Sequence, residues 1–242
     1  MGTPRVYVDA PLASGSEVAL PPEAAAHLTR VLRLRPDEAV VLFNGDGRDY
    51  AGRLLAAHRQ EVRVLVRVAG EAEAEPPLRL HLAVGVSRGE RMDFVIQKAV
   101  ELGVASIRPL FTERSVVRLD TERLDRRHAH WHGVLVAACE QSGRRRLPHL
   151  HPAQALADWL PTVAGTALLL DPRAERSLAA LPAPHGEATL LVGPEGGLSV
   201  DERERAARGG FVAVRLGPRI LRTETAPLAA LTAMQVLWGD LR

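Results

Sequence analysis

The sequence predicts an α/β protein in which a small β-rich unit precedes a larger domain built on a parallel sheet. From residue 78 onward, short apolar segments alternate with helical patterns, and this alternation is typical of parallel sheets. The segments 166–171 and 188–193 are apolar throughout, as expected for strands that are buried on both faces. An acidic stretch that ends in two prolines, residues 70–77 (GEAEAEPP), predicts the linker between the two parts.

Five strands and one helical segment are predicted before the linker. The strand predictions are 5–8, 17–20, a hairpin of 38–44 with 48–57, and the alternating stretch 60–68. The hairpin prediction depends on the turn sequence NGDG at 44–47, because glycine is favoured in tight turns. Residues 21–34 open with two prolines and then show helical spacing, which predicts a helix.

The larger domain is predicted to begin with a strand at 78–86, followed by a helix at 89–103 that closes at Gly103. The remaining predicted strands are 106–111, 166–171, 188–193 and 211–216, and the remaining helices are 119–143, 199–210 and 226–238. Thr225, followed by Ala-Pro, is the predicted N-cap of the last helix, because proline is well tolerated in a first helical turn.

Composition excludes several classes of protein. No run of about 18 apolar residues exists, so a membrane span is not expected, and the N-terminus lacks a signal pattern, so a cytoplasmic location is expected. The single cysteine, Cys139, rules out an intrachain disulfide and is predicted to be a buried structural thiol. The histidines 128, 130 and 132 do not share one helix face, so no metal site is predicted.

Basic residues cluster in one region of a chain whose formal net charge is only +2. Lys98 is the only lysine, and a GC-rich genome alone would explain the general bias to arginine. Between residues 108 and 146, however, the sequence has nine arginines and only five acidic residues, and such a local excess of positive charge is typical of nucleic-acid binding. The arginines are 108, 114, 118, 123, 126, 127, 144, 145 and 146; the acids are Glu113, Asp120, Glu122, Asp125 and Glu140.

Two glycine-bearing segments each follow an apolar strand. The first, 188–199, contains Gly-Pro-Glu-Gly-Gly and then a serine that opens a helix; the second, 216–227, reads LGPRILRTETAP. Ligands of open α/β sheets bind beyond the carboxyl ends of strands, so the two segments predict one composite pocket. Neither segment has the ending of a phosphate-binding loop or the spacing of a dinucleotide fingerprint.

Two further motifs allow two readings each. Lys98 and Glu101 lie three residues apart on a predicted helix, where a solvated ion pair is the simpler interpretation. The arginines 144–146 follow a helix end, where cations are favourable in themselves, yet three in a row exceed what capping needs and suit phosphate contacts.

Taken in order, four motifs resemble the RsmE family of bacterial ribosomal RNA methyltransferases. They are VSRGERMDFVIQKAVELGV, WHGVLVAACEQSGRRRLP, LLVGPEGGLSVDE and LGPRILRTETAPLAAL, and RVLRLRPDE and FNGDGRDY extend the resemblance into the first unit. The family usually has Ser-Lys-Gly where this chain has Ser87-Arg88-Gly89, a change that keeps the positive charge.

The resemblance implies a SPOUT-type α/β domain with a C-terminal trefoil knot over residues 73–242, preceded by a PUA-like RNA-binding β-barrel over 1–72. It implies methylation of N3 of a specific uridine of 16S rRNA, U1498, with S-adenosylmethionine as the methyl donor. It also implies a homodimer with the active site at its interface, 16S rRNA or a small-subunit particle as partner, and neither a metal nor a membrane.

Carried onto this chain, the resemblance implies three groups of site residues. Arg222 would stabilise the uracil anion, and Glu224 would act as the base or would form a structural ion pair with Arg222. The cofactor would contact Leu169, Leu170, Leu191, Val192, Gly193, Pro194, Glu195, Gly196, Gly197, Leu216, Gly217, Ile220, Leu221, Arg222, Thr223, Thr225 and Ala226. RNA would contact Arg30, Arg33, Arg88, Arg91, Lys98, Glu101, Arg114, Gln141, Arg144, Arg145 and Arg146.

The competing interpretations are a SPOUT methyltransferase that acts on another RNA base or on a ribose, and a non-catalytic RNA-binding ribosome assembly factor. The intact GPEGG and ILRTETA stretches argue against the second. Within the knot, the segment 219–227 is expected to be buried against the cofactor and a neighbouring subunit.

Overall fold

The structure is a computed structural model that describes residues 2–56, 61–115 and 121–241. The ends of two predicted strands (Ala57, Gln60), the start of a predicted helix (Leu119) and two charges of the basic region (Arg118, Asp120) lie outside the described residues. The chain divides into two compact units. The first comprises Met1–Ala74 with Cys139–Leu147, and the second comprises Glu75–Ala138 with Pro148–Arg242.

The first unit is built on a five-stranded sheet, as predicted for a β-rich module. Its strands are β1 (Arg5–Tyr7), β2 (Glu17–Ala19), β3 (Ala39–Phe43), β4 (Tyr50–Leu54) and β5 (Arg63–Ala69), in the order β1-β3-β4-β5-β2. β1 pairs parallel with β3, and the other pairs are antiparallel. The inward side chains alternate along β4 and β5, and they pack with Leu28 and Leu42 into one apolar core.

The helix predicted over 21–34 is shorter than expected. α1 (Pro22–Ala26) passes directly into a π-helical turn, His27–Val31, in which the Leu32 N–H donates to the His27 carbonyl 2.9 Å away. Arg33 then takes a left-handed backbone conformation, with φ +55°, which ends the helix. The spacing of apolar residues alone does not distinguish a continuous helix from this widened turn.

The second unit is an α/β domain with a parallel sheet, and it confirms the predicted fold class. Its strands are β6 (Arg79–Gly85), β7 (Ser106–Phe111), β8 (His149–Leu150), β9 (Gln154–Ala155), β10 (Thr166–Leu170), β11 (Glu187–Val192) and β12 (Val212–Val214). The order is β12-β10-β11-β6-β7-β8, and β9 also pairs with β7. The helices are α2 (Glu90–Glu101), α3 (Thr121–Ser142), α4 (Leu156–Trp159), α5 (Val200–Arg208) and α6 (Thr225–Trp238).

The register of this sheet brings several strand ends to one edge. Leu170 of β10 pairs with Val192 of β11, and Val192 pairs with Val84 of β6. Because every pair is parallel, the loops that leave these three strands emerge side by side. β12 is shorter than the predicted strand 211–216, since Arg215 makes only an isolated bridge with Ser177.

The predicted burial of the single cysteine can be checked directly. Cys139 is fully buried, as predicted, and burial raises the pKa of its thiol to about 11. Among the described residues, no group of histidine, cysteine and carboxylate side chains could hold a metal ion. In the same ranges, no helix is both long and apolar enough to cross a membrane.

Candidate active site

The GPEGG loop leaves β11 in a tight turn. The Gly197 N–H donates to the Pro194 carbonyl over 2.8 Å, and Gly197 has a φ of +65°, where a side chain would be strained. Gly85, at the end of β6, lies so close that a Cβ there would come within 2.5 Å of the Pro194 nitrogen. Glycine at both positions therefore lets the loop fold back onto the sheet edge.

A capping box begins α5 directly after this loop. The Glu202 N–H donates to Ser199 Oγ (3.2 Å), and the Ser199 N–H donates to Glu202 Oε2 (2.8 Å). The other carboxylate oxygen of Glu202 accepts the Glu113 N–H at 2.8 Å, which ties the segment after β7 to the same helix start. The predicted serine start of this helix is confirmed, and the loop before it is fixed at both ends.

The second segment, 216–226, passes through the left-handed Gly217 (φ +67°) and ends as α6 begins. The prediction that Thr225 caps this helix is wrong. Glu224 is the N-cap residue and makes no side-chain cap, because it already has helical angles (φ −78°, ψ −28°). The Thr225 N–H donates to the Arg222 carbonyl, so Thr225 lies inside the first turn.

Thr223 links the two segments. Its hydroxyl donates to the Gly193 carbonyl over 3.4 Å, and it lies 3.4 Å from the Ser87 hydroxyl at the end of the β6 strand region. Both distances are long for hydroxyl hydrogen bonds, so the contacts orient the loops more than they stabilise them. Together they hold Gly193, Ser87 and Thr223 around one edge of the sheet.

The residues that follow β10 form a third wall of the site, beside the GPEGG loop and the segment 216–226. Asp171 is buried, and its carboxylate accepts two side-chain hydrogen bonds from Arg173, at 3.1 and 3.3 Å, while Arg203 lies 3.5 Å away. Burial raises the pKa of Asp171, but the hydrogen bonds from Arg173 and the charges of both arginines outweigh it, so the net pKa is lowered. The carboxylate therefore stays ionised at neutral pH.

These three walls enclose a cavity of about 260 Å³. The structure brings all but four of the predicted cofactor residues to its lining. The exceptions are Leu191, Gly217, Arg222 and Thr225. Leu191 faces the core and is fully buried, whereas the other three are exposed beside the cavity. The cavity is also lined by residues outside the predicted set: Asp171, Pro172, Arg173, Leu198, Arg203 and Arg219.

The sequence carried a signal for only part of this additional lining. Asp171 and its neighbours follow an apolar strand, as the two glycine loops do, so their place at the sheet edge follows from the same rule. Arg203 lies one helical turn inside α5 and reaches the cavity because its guanidinium donates to the Leu198 carbonyl (2.8 Å). No sequence pattern marked that contact.

An arginine–carboxylate cluster borders the cavity. Glu195 Oε1 accepts from the Arg88 N–H (3.1 Å) and from Arg91 Nη1 (2.9 Å). Burial raises the pKa of Glu195, but hydrogen bonds from backbone amides and from Arg91 outweigh it and lower the net pKa. Arg91 Nε lies 3.9 Å from Glu224 Oε2. Within the described residues, the arginine at ion-pair distance from Glu224 is Arg91, and no Arg222–Glu224 ion pair is formed in the single chain.

The predicted RNA-contact residues fall into different environments. Arg30, Arg33, Arg88, Arg91 and Gln141 are exposed. Lys98 and Glu101 form the expected ion pair, with Nζ and Oε1 2.7 Å apart. Arg114 is exposed but donates to the Gly196 carbonyl over 2.8 Å, so its guanidinium also supports the GPEGG loop.

The arginine run 144–146 has structural partners in the first unit. Arg145 pairs with Asp49 (3.2 Å) and donates to the Glu71 carbonyl, while Arg146 donates to the Glu73 carbonyl and packs 3.1 Å from the Cβ position of Gly47. A run with these contacts is less available for phosphate than the sequence suggested. The difference arises because backbone carbonyls of the linker accept hydrogen bonds from the guanidinium groups of Arg145 and Arg146. The sequence alone does not show that these carbonyls lie nearby.

Arg5 is a structural residue that sequence analysis missed. It donates to the Cys139 carbonyl (2.8 Å) and the Arg144 carbonyl (3.1 Å), and it pairs with Asp49 at 2.7 Å. Its guanidinium also lies 4.6 Å from the centre of the Phe43 ring. Arg5 thereby fastens the end of α3 to β1 and β3 within the first unit.

Comparisons with known proteins identify the family of this chain. The family described as "RNA methyltransferase domain" matches residues 74–235, and "RNA methyltransferase PUA domain" matches residues 20–67. The chain is 32% identical to the ribosomal RNA small subunit methyltransferase E of Buchnera aphidicola (Schizaphis graminum), over 98% of both chains. It is 32% identical to the enzyme of that name from Bacillus subtilis, over 90% of this chain and 91% of the relative.

Solved structures extend the comparison. The Neisseria gonorrhoeae ribosomal RNA small subunit methyltransferase E, bound to S-adenosyl methionine, matches with a TM-score of 0.92 and 39% identity over all of both chains. A Legionella pneumophila protein in complex with the bound cofactor SAM matches with a TM-score of 0.95 and 37% identity, also over all of both chains. The chain therefore belongs to the ribosomal RNA small subunit methyltransferase E (RsmE) family of RNA methyltransferases.

Proposed function

We propose that this chain transfers the methyl group of S-adenosylmethionine to N3 of a specific uridine of 16S rRNA, the position U1498 that the family resemblance implies, in the cytoplasm. The observation that carries the proposal is the cavity formed where the GPEGG loop meets the segment 216–226 beyond the strand ends. Relatives crystallised with S-adenosylmethionine match this chain over its full length, which supports the same ligand here.

The residues around the cavity fit S-adenosylmethionine chemically. Apolar side chains, among them Leu169, Val192 and Leu216, can pack against an adenine ring, and the glycine-rich loop leaves backbone amides and carbonyls free to approach its edge. Asp171 and Glu195 supply ionised carboxylates in the wall. S-adenosylmethionine carries a sulfonium, an ammonium and a carboxylate. The cavity lining also contains the arginines 173, 203 and 219, so both signs of charge on the ligand meet an opposite charge in the wall.

When bound, the donor supplies an electrophilic methyl group on its sulfonium sulfur. The residues of the chain have to remove the proton from uracil N3, because that nitrogen can act as a nucleophile only after the proton has left. Glu224 is the proposed base, since it is half-buried beside the cavity and Arg91 holds it only at 3.9 Å. The proton passes to the Glu224 carboxylate, and the new bond joins N3 to the methyl carbon as the carbon–sulfur bond breaks.

Arg222 is the proposed stabiliser of the uracil anion. Its guanidinium is exposed next to the cavity, and among the described residues no carboxylate lies within ion-pair distance of it. A cation that has no protein partner can donate to uracil O2 or O4, where negative charge develops as the proton leaves. The target uridine has to be unstacked to reach this position.

RNA binding is assigned to both units. In the first unit, which we propose acts as a PUA-like domain over residues 1–72, Arg30 of the π-helical turn and the left-handed Arg33 just after that turn are exposed to solvent. π-helical turns and left-handed residues recur at functional sites, which supports a contact there. In the catalytic domain, proposed as residues 73–242, Arg88 and Arg91 lie exposed at the rim of the site.

A homodimer is proposed to complete the site, with the segments 191–197 and 216–226 forming the trefoil knot. The expectation that 219–227 is buried does not hold for the single chain, where Arg219 and Arg222 are exposed and Ile220 is 86% exposed. An apolar side chain this exposed at the rim of a cavity supports an interface with a second copy.

Analysis of the modified nucleoside tests the proposal. Small-subunit particles from a strain that lacks this methyltransferase are incubated with the protein and S-adenosylmethionine, and the rRNA is digested and mapped by mass spectrometry. We expect N3-methyluridine at one site, and none when the donor is omitted. A methyl group on another base or on a ribose would instead support a different SPOUT activity. Failure to bind S-adenosylmethionine in calorimetry would support an assembly factor.

A further inference from the structure

A second cavity, of about 180 Å³, lies at the amino-terminal halves of the parallel strands, at the opposite edge of the sheet from the candidate active site. It belongs wholly to the second unit. Its polar lining consists of His81, Ser106, Arg108, His151, Thr162 and Thr189. The proposed methyl transfer uses none of these residues.

Sheet register explains why these side chains converge. His81 of β6 pairs with Ser106 of β7 on one side and with Thr189 of β11 on the other, so the three share a row across one face. Arg108 follows Ser106 by two residues and therefore lies on the same face. His151 comes just after β8, the next strand, and approaches Arg108 from the side.

Arg108 carries a charge that its neighbours do not neutralise. Its guanidinium is half-buried and donates to Gln154 Oε1 (3.2 Å) and to His151 Nδ1 (2.7 Å), both of which are neutral acceptors. Within the described ranges, no carboxylate lies within 4.0 Å of it. Burial lowers the pKa of Arg108, as expected for a cation that loses hydration without gaining a counter-charge.

The contact with Arg108 fixes the state of His151. A guanidinium only donates hydrogen bonds, so Nδ1 of His151 must accept, and the ring is neutral with its proton on Nε2. Burial, and then the charge of Arg108, lowers the pKa of His151 to about 4, which agrees with that tautomer. His151 therefore contributes a neutral N–H donor to the cavity lining at physiological pH.

Two other polar groups of the lining, those of His81 and Ser106, are paired with each other. His81 Nδ1 lies 2.8 Å from Ser106 Oγ, and His81 Nε2 lies 3.6 Å from Glu187 Oε2. The carboxylate of Glu187 is 57% exposed and approaches His81 rather than Arg108. The cavity thus presents one uncompensated guanidinium with N–H and hydroxyl groups around it.

We propose that this cavity binds a phosphate group through the guanidinium of Arg108, with the His151 Nε2–H as a further donor. A guanidinium matches phosphate oxygens with two parallel hydrogen bonds, and a bound anion removes the cost of the unpaired buried charge. The phosphate comes either from solution, as inorganic phosphate or a phosphomonoester, or from an RNA chain. The site chemistry is the same for both sources.

Titration of the wild-type protein with inorganic phosphate is the first test. Long-range proton–nitrogen NMR spectra follow the imidazole signals of His81 and His151 at pH 7.5, with sodium chloride keeping the ionic strength constant. We expect saturable shifts of these two rings, and a melting temperature that rises with phosphate concentration because binding favours the folded state. Shifts that are absent, or that do not saturate and appear equally on exposed histidines, overturn the proposal.

Matched arginine variants are the second test. Arg108→Gln should lower phosphate affinity about tenfold or more, because it removes charge-assisted hydrogen bonds. Arg208→Gln, a control on exposed α5, should stay within about twofold, since Arg208 only forms an exposed i,i+4 pair with Glu204. Arg108→Lys keeps the positive charge but loses the planar guanidinium that can make two parallel hydrogen bonds, so this variant should bind phosphate with intermediate affinity. Equal losses in Arg108→Gln and Arg208→Gln would refute a specific site.

The source of the phosphate is resolved by competition. If RNA supplies it, Arg108→Gln weakens binding of a small-subunit RNA fragment, and inorganic phosphate competes with that fragment more strongly than chloride does. If a free phosphate is the ligand, the variant loses phosphate binding and keeps RNA affinity. Both results support an oxyanion site. Because these readouts need no methyl transfer, they are independent of the proposed activity.

Discussion

Arginines in this chain differ in role according to their partners rather than their position in the sequence. Arg5 and Arg145 have carboxylate and carbonyl partners and hold the first unit together, whereas Arg222 is exposed beside a cavity. Arg108 is half-buried, and in the part of the chain that the structure describes no carboxylate pairs with it. Of these four arginines, Arg222 and Arg108 are the two that a ligand anion can reach, so the mutational tests of anion binding concentrate on them.

Replacing Arg222 should damage catalysis more than cofactor binding. Arg222→Ala is expected to lower the rate of methyl transfer about 10²- to 10³-fold at saturating S-adenosylmethionine, because it removes one donor to the developing uracil anion. Cofactor affinity measured by calorimetry should change little, since Arg222 does not line the cavity. Arg208→Ala serves as the surface control. Unchanged turnover by Arg222→Ala would eliminate the proposed role.

Glu224 can be tested through the pH dependence of the reaction. If its carboxylate removes the N3 proton, Glu224→Gln should be nearly inactive at neutral pH and should regain part of its activity as the pH rises, because uracil then ionises in solution without help. A positioning role would instead give a loss that is constant across the pH range. The measurement is the single-turnover rate at several pH values, with Glu204→Gln on exposed α5 as the matched control.

His151 makes stability depend on pH in a predictable direction. Its pKa in the folded protein is about 4, below the ordinary 6.5, so the unfolded chain binds a proton more readily than the folded chain. The contribution of His151 is therefore fully present above about pH 6.5 and is lost as the pH falls toward 4. Across that window, the melting temperature of wild type should fall faster than that of His151→Gln, as measured by circular dichroism. Parallel curves for the two proteins would contradict this assignment.

At the scale of elements, the shape of the cavity depends on close packing between the GPEGG loop and the end of β6. Gly85 contacts the Pro194 backbone, Gly193 packs against Leu198, and Thr223 joins the loop to the segment 216–226. The capping box of Ser199 and Glu202 fixes the far end of the loop. The loop geometry is thus imposed by backbone contacts rather than by the side chains that would face the cofactor.

A pair of glycine substitutions tests this steric account. Gly85→Ala places a methyl group about 2.5 Å from Pro194, so the loop has to move, and the affinity for S-adenosylmethionine should fall at least tenfold. Gly133→Ala meets nothing within 4 Å on α3 and should be neutral or stabilising, by up to about 1 kcal/mol. Calorimetry with the cofactor and thermal melting check both. Equal cofactor affinity in the two variants would show that the contact is not critical.

Sequence patterns predicted the regular elements better than their ends. Strands 106–111 and 166–171 are nearly as predicted, because continuous apolar runs have few alternatives in an α/β domain. The helix start at Thr225 was misassigned, since the turn Arg222–Thr225 runs straight into α6 and leaves the threonine nothing to cap. The π-helical turn after α1 was missed for a similar reason, because its hydrogen bonds have no residue signature.

For the whole molecule, the composite pocket was predictable because parallel strands bring their carboxyl ends to one edge. Ion pairs between residues far apart in the sequence were not predictable, as Glu224 pairs with Arg91, whereas the local pair of Lys98 and Glu101 was predicted. The cavity at Arg108 could not be predicted from the sequence either, since it depends on the register of β6, β7 and β11. Local sequence patterns therefore predict which edge of the sheet forms the binding site, whereas tertiary contacts determine which side chains at that edge are available to a ligand.

The exposed apolar side chains on α6 provide a test of the proposed dimer. Val236 is 51% and Leu237 is 41% exposed, and a single chain gains nothing from leaving both in water at one helix end. The double substitution Val236→Glu and Leu237→Glu should yield monomers in sedimentation equilibrium, with little change in the secondary structure measured by circular dichroism. The control is Val68→Glu, at an exposed site in the first unit, which should leave the oligomeric state unchanged.

If a partner completes the site, the monomeric variant should lose methyl transfer while Val68→Glu keeps it. A variant that remains dimeric would show that α6 is not the interface, and a fully active monomer would show that one chain suffices.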